Sequence, residues 1–238
     1  MRNFRIQRII ILVFFLLFLF SCTPKLWYAG SPEVTKWEIE VAALEQLHVS
    51  ENEQAVLMTG SSSIRLWDSI SRDMLPYQVI SRAYGGSRLG DFRHYVHRIV
   101  TPNKAGAIFI FLANDITGDY RDISPRTVLK YFKSTIRSIR EVHQATPIFW
   151  IEVTPTPARW HVWPEISRAS ELIEDYCNST ENLYFIKTRE YFLNGNKEPD
   201  IRLFADDKLH LNEEGYRIWS RCIKQDLDKH TGYLRIMQ

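Results

Sequence analysis

The stretch "AVLMTGSSSIRLW", residues 55–67, sets an apolar run against a turn of three consecutive serines. The run Ala55–Thr59 is short and hydrophobic, and Gly60 follows it, which is typical of a buried strand. A helical pattern over Ile64–Met74 comes next, so the stretch predicts a strand, a sharp turn and a helix. A serine at such a turn is a candidate nucleophile, but it needs a base from elsewhere in the chain.

The rest of the chain repeats this alternation of short apolar runs and amphipathic helical patterns. The predicted strands are Ala55–Thr59, Tyr77–Ser81, Ala107–Leu112, Ile148–Val153 and Leu183–Ile186. The predicted helices are Val34–Leu47, Ile64–Met74, Leu89–Ile99, Ser124–Gln144, Glu165–Asn178 and a last helix from Asn212. Alternating strands and helices form βαβ units with a parallel sheet between helical layers. We therefore expect a single α/β domain, a three-layer α/β/α sandwich of about five parallel strands.

Polar and glycine-rich segments follow the predicted strands, where open parallel sheets bind their ligands. "GSSSI" follows the first strand, "RAYGGS" (82–87) the second and "LAND" (112–115) the third, while "DDKLHLNEEGY" (206–216) leads into the last helix. Each segment alone is a weak signal, because loops favour serine, glycine and asparagine for turn geometry. Together they supply a nucleophile, a base and oxyanion donors, which are the groups that acyl transfer requires.

Five residues in these segments form the candidate catalytic site. Ser62 is the predicted nucleophile, His210 the general base, and Asp207 the carboxylate that orients the imidazole. The predicted oxyanion donors are the backbone N–H groups of Ser62 and Gly86 and the side-chain amide of Asn114. The sequence has no CxxC motif and no Cys/His cluster, so we do not expect a structural metal.

The four segments, in the order Ser, Gly, Asn and Asp-x-x-His, resemble the SGNH (GDSL-type) hydrolase superfamily over about residues 54–225. "GSSSIRLW" and "DKLHLNEEGY" resemble a bacterial branch of "GSSSI" esterases similar to platelet-activating-factor acetylhydrolases. The resemblance implies a flavodoxin-like fold and a serine esterase that needs no cofactor. By that alignment Ser62 is the nucleophile, and Ser61 and Ser63 shape the turn.

Two residues depart from the family pattern. Leu112 stands where the third segment usually begins with glycine, and Ala83 replaces a glycine of the second segment. Both side chains are bulkier than glycine, so we expect them to narrow the cleft floor and to alter activity or selectivity. The resemblance implies hydrolysis of small esters, either O-acetyl groups on carbohydrate or short acyl chains on lipid, and this is the function that we favour. The alternatives are an O-acyltransferase that uses the same site and a surface lipoprotein that binds a partner on an impaired hydrolase scaffold.

A fifth segment, "VTPTPARWHVWP" (153–164), follows the predicted fourth strand and combines three prolines with basic and aromatic residues. In the functional interpretation, Arg159 pairs with an anionic group of the substrate, and Trp160 or Trp163 stacks on a sugar face. In the structural interpretation, it is a surface loop stiffened by proline whose tryptophans pack on the domain. Both interpretations stay open at this point.

The first 22 residues are typical of a bacterial export signal. Three arginines within the first eight residues precede the apolar run Ile9–Phe20, which is too short to span a bilayer but fits the core of a signal peptide. "LFSC" then resembles a lipobox and predicts lipidation at Cys22. We therefore expect an exported lipoprotein on the periplasmic or cell-surface side of a membrane. The alternative is an uncleaved N-terminal anchor with an incidental cysteine.

These features divide the chain into a signal peptide (1–21), a tether with a short helix (22–50) and a hydrolase domain (51–238). Removal of the signal takes away three arginines and no acids, so the formal net charge falls from +2 to −1. Nothing in this balance calls for a nucleic-acid partner. Cys177 and Cys222 are interpreted either as a disulfide or as two small core residues.

Overall fold

The computed structural model describes residues 30–231, and the predicted signal peptide and Cys22 lie outside this range. The chain divides into two units, residues 1–38 and 39–238. In the first unit the structure describes one short helix, α1 (Pro32–Thr35), which has a proline in its first turn as helix starts favour. The second unit contains the sheet and the five candidate catalytic residues.

A five-stranded parallel sheet forms the centre of the second unit. Its strands are β1 (Val56–Gly60), β2 (Val79–Ala83), β3 (Ala107–Phe111), β4 (Ile148–Ile151) and β5 (Leu183–Ile186). They lie in the order β2-β1-β3-β4-β5, and each neighbouring pair is parallel. Every residue of β1 and β3 is buried, which explains why these strands have continuous apolar sequences. The predicted three-layer α/β/α sandwich is confirmed.

Helices of very different lengths connect the strands. The α-helices are α2 (Glu38–Glu45), α3 (Ser62–Arg65), α4 (Ile70–Asp73), α5 (Leu89–Ile99), α6 (Pro125–Arg140), α7 (Trp163–Asn178) and α8 (Glu213–Thr231), and the 3₁₀ helices are Pro157–Val162, Arg189–Phe192 and Ile201–Leu203. Two predicted helices are wrong in extent, since 34–47 covers only the end of α1 together with α2, and 64–74 covers only the end of α3 together with α4. Between α3 and α4, Trp67 buries its indole and donates Nε1–H to Asp73 Oδ2 at 2.8 Å, which interrupts the helix.

Helix α6 begins as predicted and ends early. Ser124 caps it by accepting a hydrogen bond from the Thr127 N–H at 3.3 Å. The helix ends at Arg140, whose guanidinium donates to the carbonyls of His143 and Thr146 at 2.7 and 2.5 Å. Those bonds stabilise a turn in place of another helical turn. Val142, which lies beyond this end of the helix, is 57% exposed.

An aromatic cluster packs α8 against the sheet next to the serine turn. Trp67 stacks on Tyr216 with 5.1 Å between ring centroids, and Trp219 packs edge-on against Phe111 at 4.6 Å. Such pairs contribute about 0.5–1.5 kcal/mol each beyond the area that they bury. The Tyr216 hydroxyl also donates to the Ser63 carbonyl at 2.9 Å. The last helix therefore helps to fix the turn that carries the candidate nucleophile.

Both cysteines of the described chain are buried and free. Burial raises the pKa of Cys177 to about 12 and is the main cause that raises the pKa of Cys222 to about 11, so both thiols are protonated core groups. Within residues 30–231, no group of three or more His, Cys, Asp or Glu side chains is placed to hold a metal ion. In the same range, the helices are all too short or too polar to cross a membrane.

Candidate active site

The turn after β1 separates the three serines by environment. Gly60 has φ +130°, and a Cβ atom there would lie 2.0 Å from the Phe111 carbonyl oxygen, so the turn requires glycine. Ser61 is buried, and its N–H donates to the same carbonyl at 2.9 Å. The Ser63 carbonyl accepts the bond from α8 described above. Ser62, the first residue of α3, lies between these two fixed positions.

A chain of hydrogen bonds joins Ser62 to the loop before α8. Ser62 Oγ lies 2.9 Å from His210 Nε2, and His210 Nδ1 lies 2.5 Å from Asp207 Oδ2. The other carboxylate oxygen of Asp207 accepts from the backbone N–H groups of Leu209 and His210, both at 3.0 Å. The structure thus brings together the serine, histidine and aspartate that the sequence analysis selected, although Ser62 and His210 are 148 residues apart.

A tight turn presents Asp207 and His210 on the same side. Lys208, between them, has φ +59°, and its N–H donates to the Ala205 carbonyl at 2.9 Å. The Ala205 N–H in turn donates to the His210 carbonyl at 2.8 Å. Asn212 then caps the start of α8, because its Oδ1 accepts from the N–H groups of Glu214 and Gly215 at 3.0 and 3.1 Å. Backbone hydrogen bonds on both sides therefore position the histidine.

Hydrogen bonding keeps Asp207 ionised. Partial burial is the largest single effect and raises its pKa, but the bonds from the His210 side chain and from two backbone N–H groups together outweigh it. The pKa of Asp207 is lowered to about 2. An anion at Nδ1 favours the tautomer with the proton on Nδ1, which leaves Nε2 as an acceptor for the Ser62 hydroxyl.

The candidate oxyanion donors come from the ends of β1, β2 and β3. Within residues 30–231, the backbone N–H groups of Ser62 and Gly86 donate to no protein acceptor. Gly86 has φ +64°, and its turn is tied to the serine turn because Ser87 Oγ donates to the Gly60 carbonyl at 3.1 Å. Asn114 Nδ2 donates one hydrogen to the Ser87 carbonyl at 3.0 Å, which leaves its second hydrogen available.

A small cavity that opens to solvent lies at this edge of the sheet. Its polar lining includes Ser62, Asn114 and His210, and its apolar walls include Phe111 and Trp219. Gly86 is not among the residues that line the cavity. The cavity therefore offers a nucleophile, a base and a hydrogen-bond donor to one small group, beside apolar side chains and further polar ones such as Thr154 and Thr156.

The structure gives different surroundings to the arginine and the two tryptophans of the 153–164 segment. Arg159 lines the cavity, and its guanidinium donates to the Ala113 carbonyl and to Asn114 Oδ1, both at 2.6 Å. Trp160 and Trp163 stack on each other with 5.7 Å between ring centroids, and neither lines the cavity. The charge of Arg159 thus faces protein acceptors, whereas the sequence interpretation assigned it to an anionic substrate.

Neither of the two departures from the family pattern lines the Ser62 cavity. Leu112 is buried and lines a separate, mostly apolar pocket to which β4, α6 and α7 also contribute residues. Ala83 is buried in the core cluster. The structure therefore does not place either side chain on the floor of the cavity that contains Ser62.

Sequence reasoning missed residues that hold the site loops. Glu40 Oε2 accepts from the Gly85 N–H at 2.9 Å, next to the oxyanion glycine. Both carboxylate oxygens of Asp115 accept from the Leu89 N–H at 3.1 Å. For Asp115 a signal existed, since it directly follows Asn114 at the end of a strand. The sequence contained no such signal for Glu40, because 45 residues separate it from Gly85.

A parallel α/β/α sandwich with Ser, Gly, Asn and Asp-x-x-His at successive loops defines an SGNH-type hydrolase. A sequence model of the GDSL-like Lipase/Acylhydrolase family matches residues 58–218. The chain belongs to this family, and it is an ester-hydrolysing enzyme. A search of curated proteins finds no match to the sequence.

Solved structures support the fold assignment. A protein from Streptococcus pneumonia described as a platelet activating factor has a TM-score of 0.69 and 18% identity, covering 82% of this chain and 92% of its own. A Bacteroides fragilis acylhydrolase has a TM-score of 0.68 and 18% identity over 84% and 98% of the two chains. A GDSL-like lipase from Bacteroides thetaiotaomicron has a TM-score of 0.62 and 20% identity over 85% and 98%. At these identities the likeness concerns the fold.

Proposed function

We propose that the protein is a serine esterase in which Ser62 is the nucleophile, His210 the general base and Asp207 the residue that orients His210. The observation that carries the proposal is the continuous hydrogen-bond chain at the cavity, 2.9 Å from Ser62 to His210 and 2.5 Å from His210 to Asp207. Such a chain turns a weakly nucleophilic hydroxyl into a group that attacks carbonyl carbon.

The reaction proceeds in two acyl-transfer steps. Ser62 Oγ attacks the ester carbonyl carbon while His210 Nε2 takes the hydroxyl proton, and the N–H groups of Ser62, Gly86 and Asn114 stabilise the oxyanion. The intermediate collapses, the C–O bond to the alcohol breaks, and His210 returns the proton to the alcohol. Water then gives a proton to His210 and attacks the acyl-enzyme, which releases the acid and restores the Ser62 hydroxyl.

The proposed substrates are acetyl or short acyl esters of carbohydrate or lipid. Support comes from the apolar residues Phe111, Leu211 and Trp219, which line the cavity together with the nucleophile and suit a small acyl group. The alcohol side of the substrate would lie toward the open mouth of the cavity. A series of esters of one alcohol with two to twelve acyl carbons tests this preference, since the rate should fall steeply as the chain lengthens.

Labelling with a fluorophosphonate probe tests the nucleophile. We expect the purified protein to be labelled at Ser62, as located by peptide mass spectrometry, and the Ser62→Ala variant to lose both labelling and ester hydrolysis. Ser63→Ala is the matched variant, and it should still be labelled at Ser62. Hydrolysis that survives in Ser62→Ala at the parent rate would contradict the proposed mechanism.

The proposed location is a membrane surface, through lipid attached to Cys22. This rests on the arginines, the short apolar run and "LFSC" at residues 19–22. In cells fed an alkyne analogue of palmitate, the parent should be labelled and Cys22→Ser should not, while Cys177→Ser should be labelled like the parent. An unlabelled protein that stays in the membrane fraction with residues 1–21 intact would indicate the uncleaved anchor instead.

A further inference from the structure

Arg159 makes two short hydrogen bonds to the loop that carries Asn114. It lies on the 3₁₀ helix Pro157–Val162, and its Nη1 and Nη2 groups donate to the Ala113 carbonyl and to Asn114 Oδ1 at 2.6 Å each. Burial is the main cause that lowers the pKa of Arg159 to about 10, so the guanidinium stays charged at neutral pH. Charge-assisted bonds of this length are strong and directional.

These bonds fix the orientation of the Asn114 amide. Arg159 holds its oxygen, and one hydrogen of Nδ2 donates to the Ser87 carbonyl at 3.0 Å. Because an amide is planar, these two anchors determine where the second Nδ2 hydrogen points. The positive charge at the amide oxygen also polarises the amide and strengthens that N–H as a donor.

The segment that carries Arg159 also contacts the loop of the proposed base. The Ala158 N–H donates to the Lys208 carbonyl at 3.1 Å, and Lys208 lies between Asp207 and His210 in the chain. One short segment after β4 thus contacts the proposed oxyanion donor through a side chain and the base loop through its backbone. A catalytic group misplaced by about 1 Å can lose about a hundredfold in rate, so such a contact has consequences for catalysis.

We propose that Arg159 is a positioning residue that aims the Asn114 amide at the oxyanion, an inference that rests on the proposed function. Arg159 acts through Asn114 and does not itself bind the substrate. This assigns the residue a different role from the pairing with an anionic substrate group that its sequence context suggested. It predicts an effect on kcat that depends on the presence of Asn114.

A double-mutant cycle tests the proposal with Arg159→Gln, Asn114→Ala and the double variant. Loss of one oxyanion donor lowers kcat by about 10²–10³-fold, so Asn114→Ala should do the same. Arg159→Gln should lower kcat by about 10–100-fold with KM within about twofold, because it misaligns the donor. In the Asn114→Ala background the same substitution should change kcat by less than about threefold. Arg168→Gln, an exposed arginine on α7, is the matched control and should behave like the parent.

Several results would overturn the inference. If Arg159→Gln lowers kcat equally in both backgrounds, Arg159 does not act through Asn114. If it raises KM for an anionic ester and not for a neutral one, it binds the substrate. Arg159→Lys keeps the charge and can reach one acceptor, so it should recover part of kcat; a folded lysine variant no better than glutamine would contradict the charged contact. Failure of the proposed function is separately visible, as hydrolysis that persists in Ser62→Ala.

Discussion

Asp207 is half exposed, with 49% of its side chain accessible, whereas His210 is 22% accessible. Since hydrogen bonds and not burial keep it ionised, replacing it should affect chemistry more than folding. We expect Asp207→Asn to lower kcat by about 10³-fold or more, because an amide no longer favours the productive imidazole tautomer. Stability should change by no more than about 1 kcal/mol. Steady-state kinetics and urea unfolding measure the two effects.

The neighbouring carboxylate provides the control for this prediction. Asp206 is exposed and adjacent in sequence, so Asp206→Asn changes the local charge equally without touching the imidazole. It should retain kcat within about twofold. An Asp207→Asn variant that also kept the parent kcat would mean that backbone contacts alone orient His210.

The strand-to-helix turn depends on the absence of a side chain at Gly60. A Cβ atom there would lie 2.0 Å from the backbone oxygen of Phe111, and φ is +130°. Since neither backbone can move without breaking the β1–β3 pairing, Gly60→Ala should lower the free energy of unfolding by about 3 kcal/mol or more. Urea unfolding measures this loss.

Gly195→Ala provides the control for Gly60→Ala. A Cβ added there meets nothing within 4 Å, so Gly195→Ala should leave stability within about 1 kcal/mol of the parent. Gly60→Ala should also lose fluorophosphonate labelling, because the turn that presents Ser62 is displaced. A stable Gly60→Ala variant with parent-like labelling would show that the turn tolerates a side chain.

Periodicity predicted strands better than helix boundaries, for physical reasons. Buried parallel strands such as β3 are continuous apolar runs, which a sequence displays directly. The two short helices α3 and α4 follow one helical pattern, but the burial of Trp67 divides it. α6 ends at Arg140 because that side chain binds carbonyls beyond the helix, a tertiary choice that periodicity does not encode.

In the candidate site too, local motifs predicted individual residues, whereas contacts between residues far apart in the chain could not be predicted. The rule that parallel sheets bind ligands at their carboxyl ends placed Ser62 and Asn114 at one edge of the sheet, and the motif before the last helix supplied His210. In the structure all three residues line one cavity. The contact of Arg159 with Asn114 spans 45 residues and depends on how the loop after β4 packs. From the sequence alone, an arginine in a loop is equally compatible with binding a substrate and with contacting protein acceptors. Only the folded chain shows which acceptors it contacts.

A buried carboxylate next to the site influences the stability of the whole molecule. Asp115 is 4% exposed and caps the start of α5 through the Leu89 N–H. Burial is the largest effect on Asp115 and raises its pKa, the Leu89 N–H lowers it, and the nearby charge of Asp91 raises it further. The net pKa is about 7, against an ordinary value of 3.8.

This difference predicts how stability changes with pH. Between pH 3.8 and about 7, the folded protein holds a proton on Asp115 that the unfolded chain has lost. The stabilisation that this proton provides is therefore complete below pH 3.8 and disappears as the pH rises through about 7. At about 1.4 kcal/mol per pKa unit, up to about 4 kcal/mol of unfolding free energy should be lost between pH 4 and pH 8. The Asp115→Asn variant should not show the part of this pH-dependent loss of stability that Asp115 causes, because its amide stays neutral and still accepts from the Leu89 N–H.

Urea unfolding at pH 4.5, 6 and 8 measures the prediction, with Asp175→Asn on the exposed face of α7 as the control that should follow the parent. The parent should lose stability over this range and Asp115→Asn should lose clearly less. Ionising a buried carboxylate destabilises the fold wherever it lies. Because Asp115 directly follows Asn114, its ionisation should destabilise the loop that carries the proposed oxyanion donor. If parent and Asp115→Asn show the same dependence on pH, Asp115 is ionised throughout and its bond to the α5 N-terminus outweighs its burial.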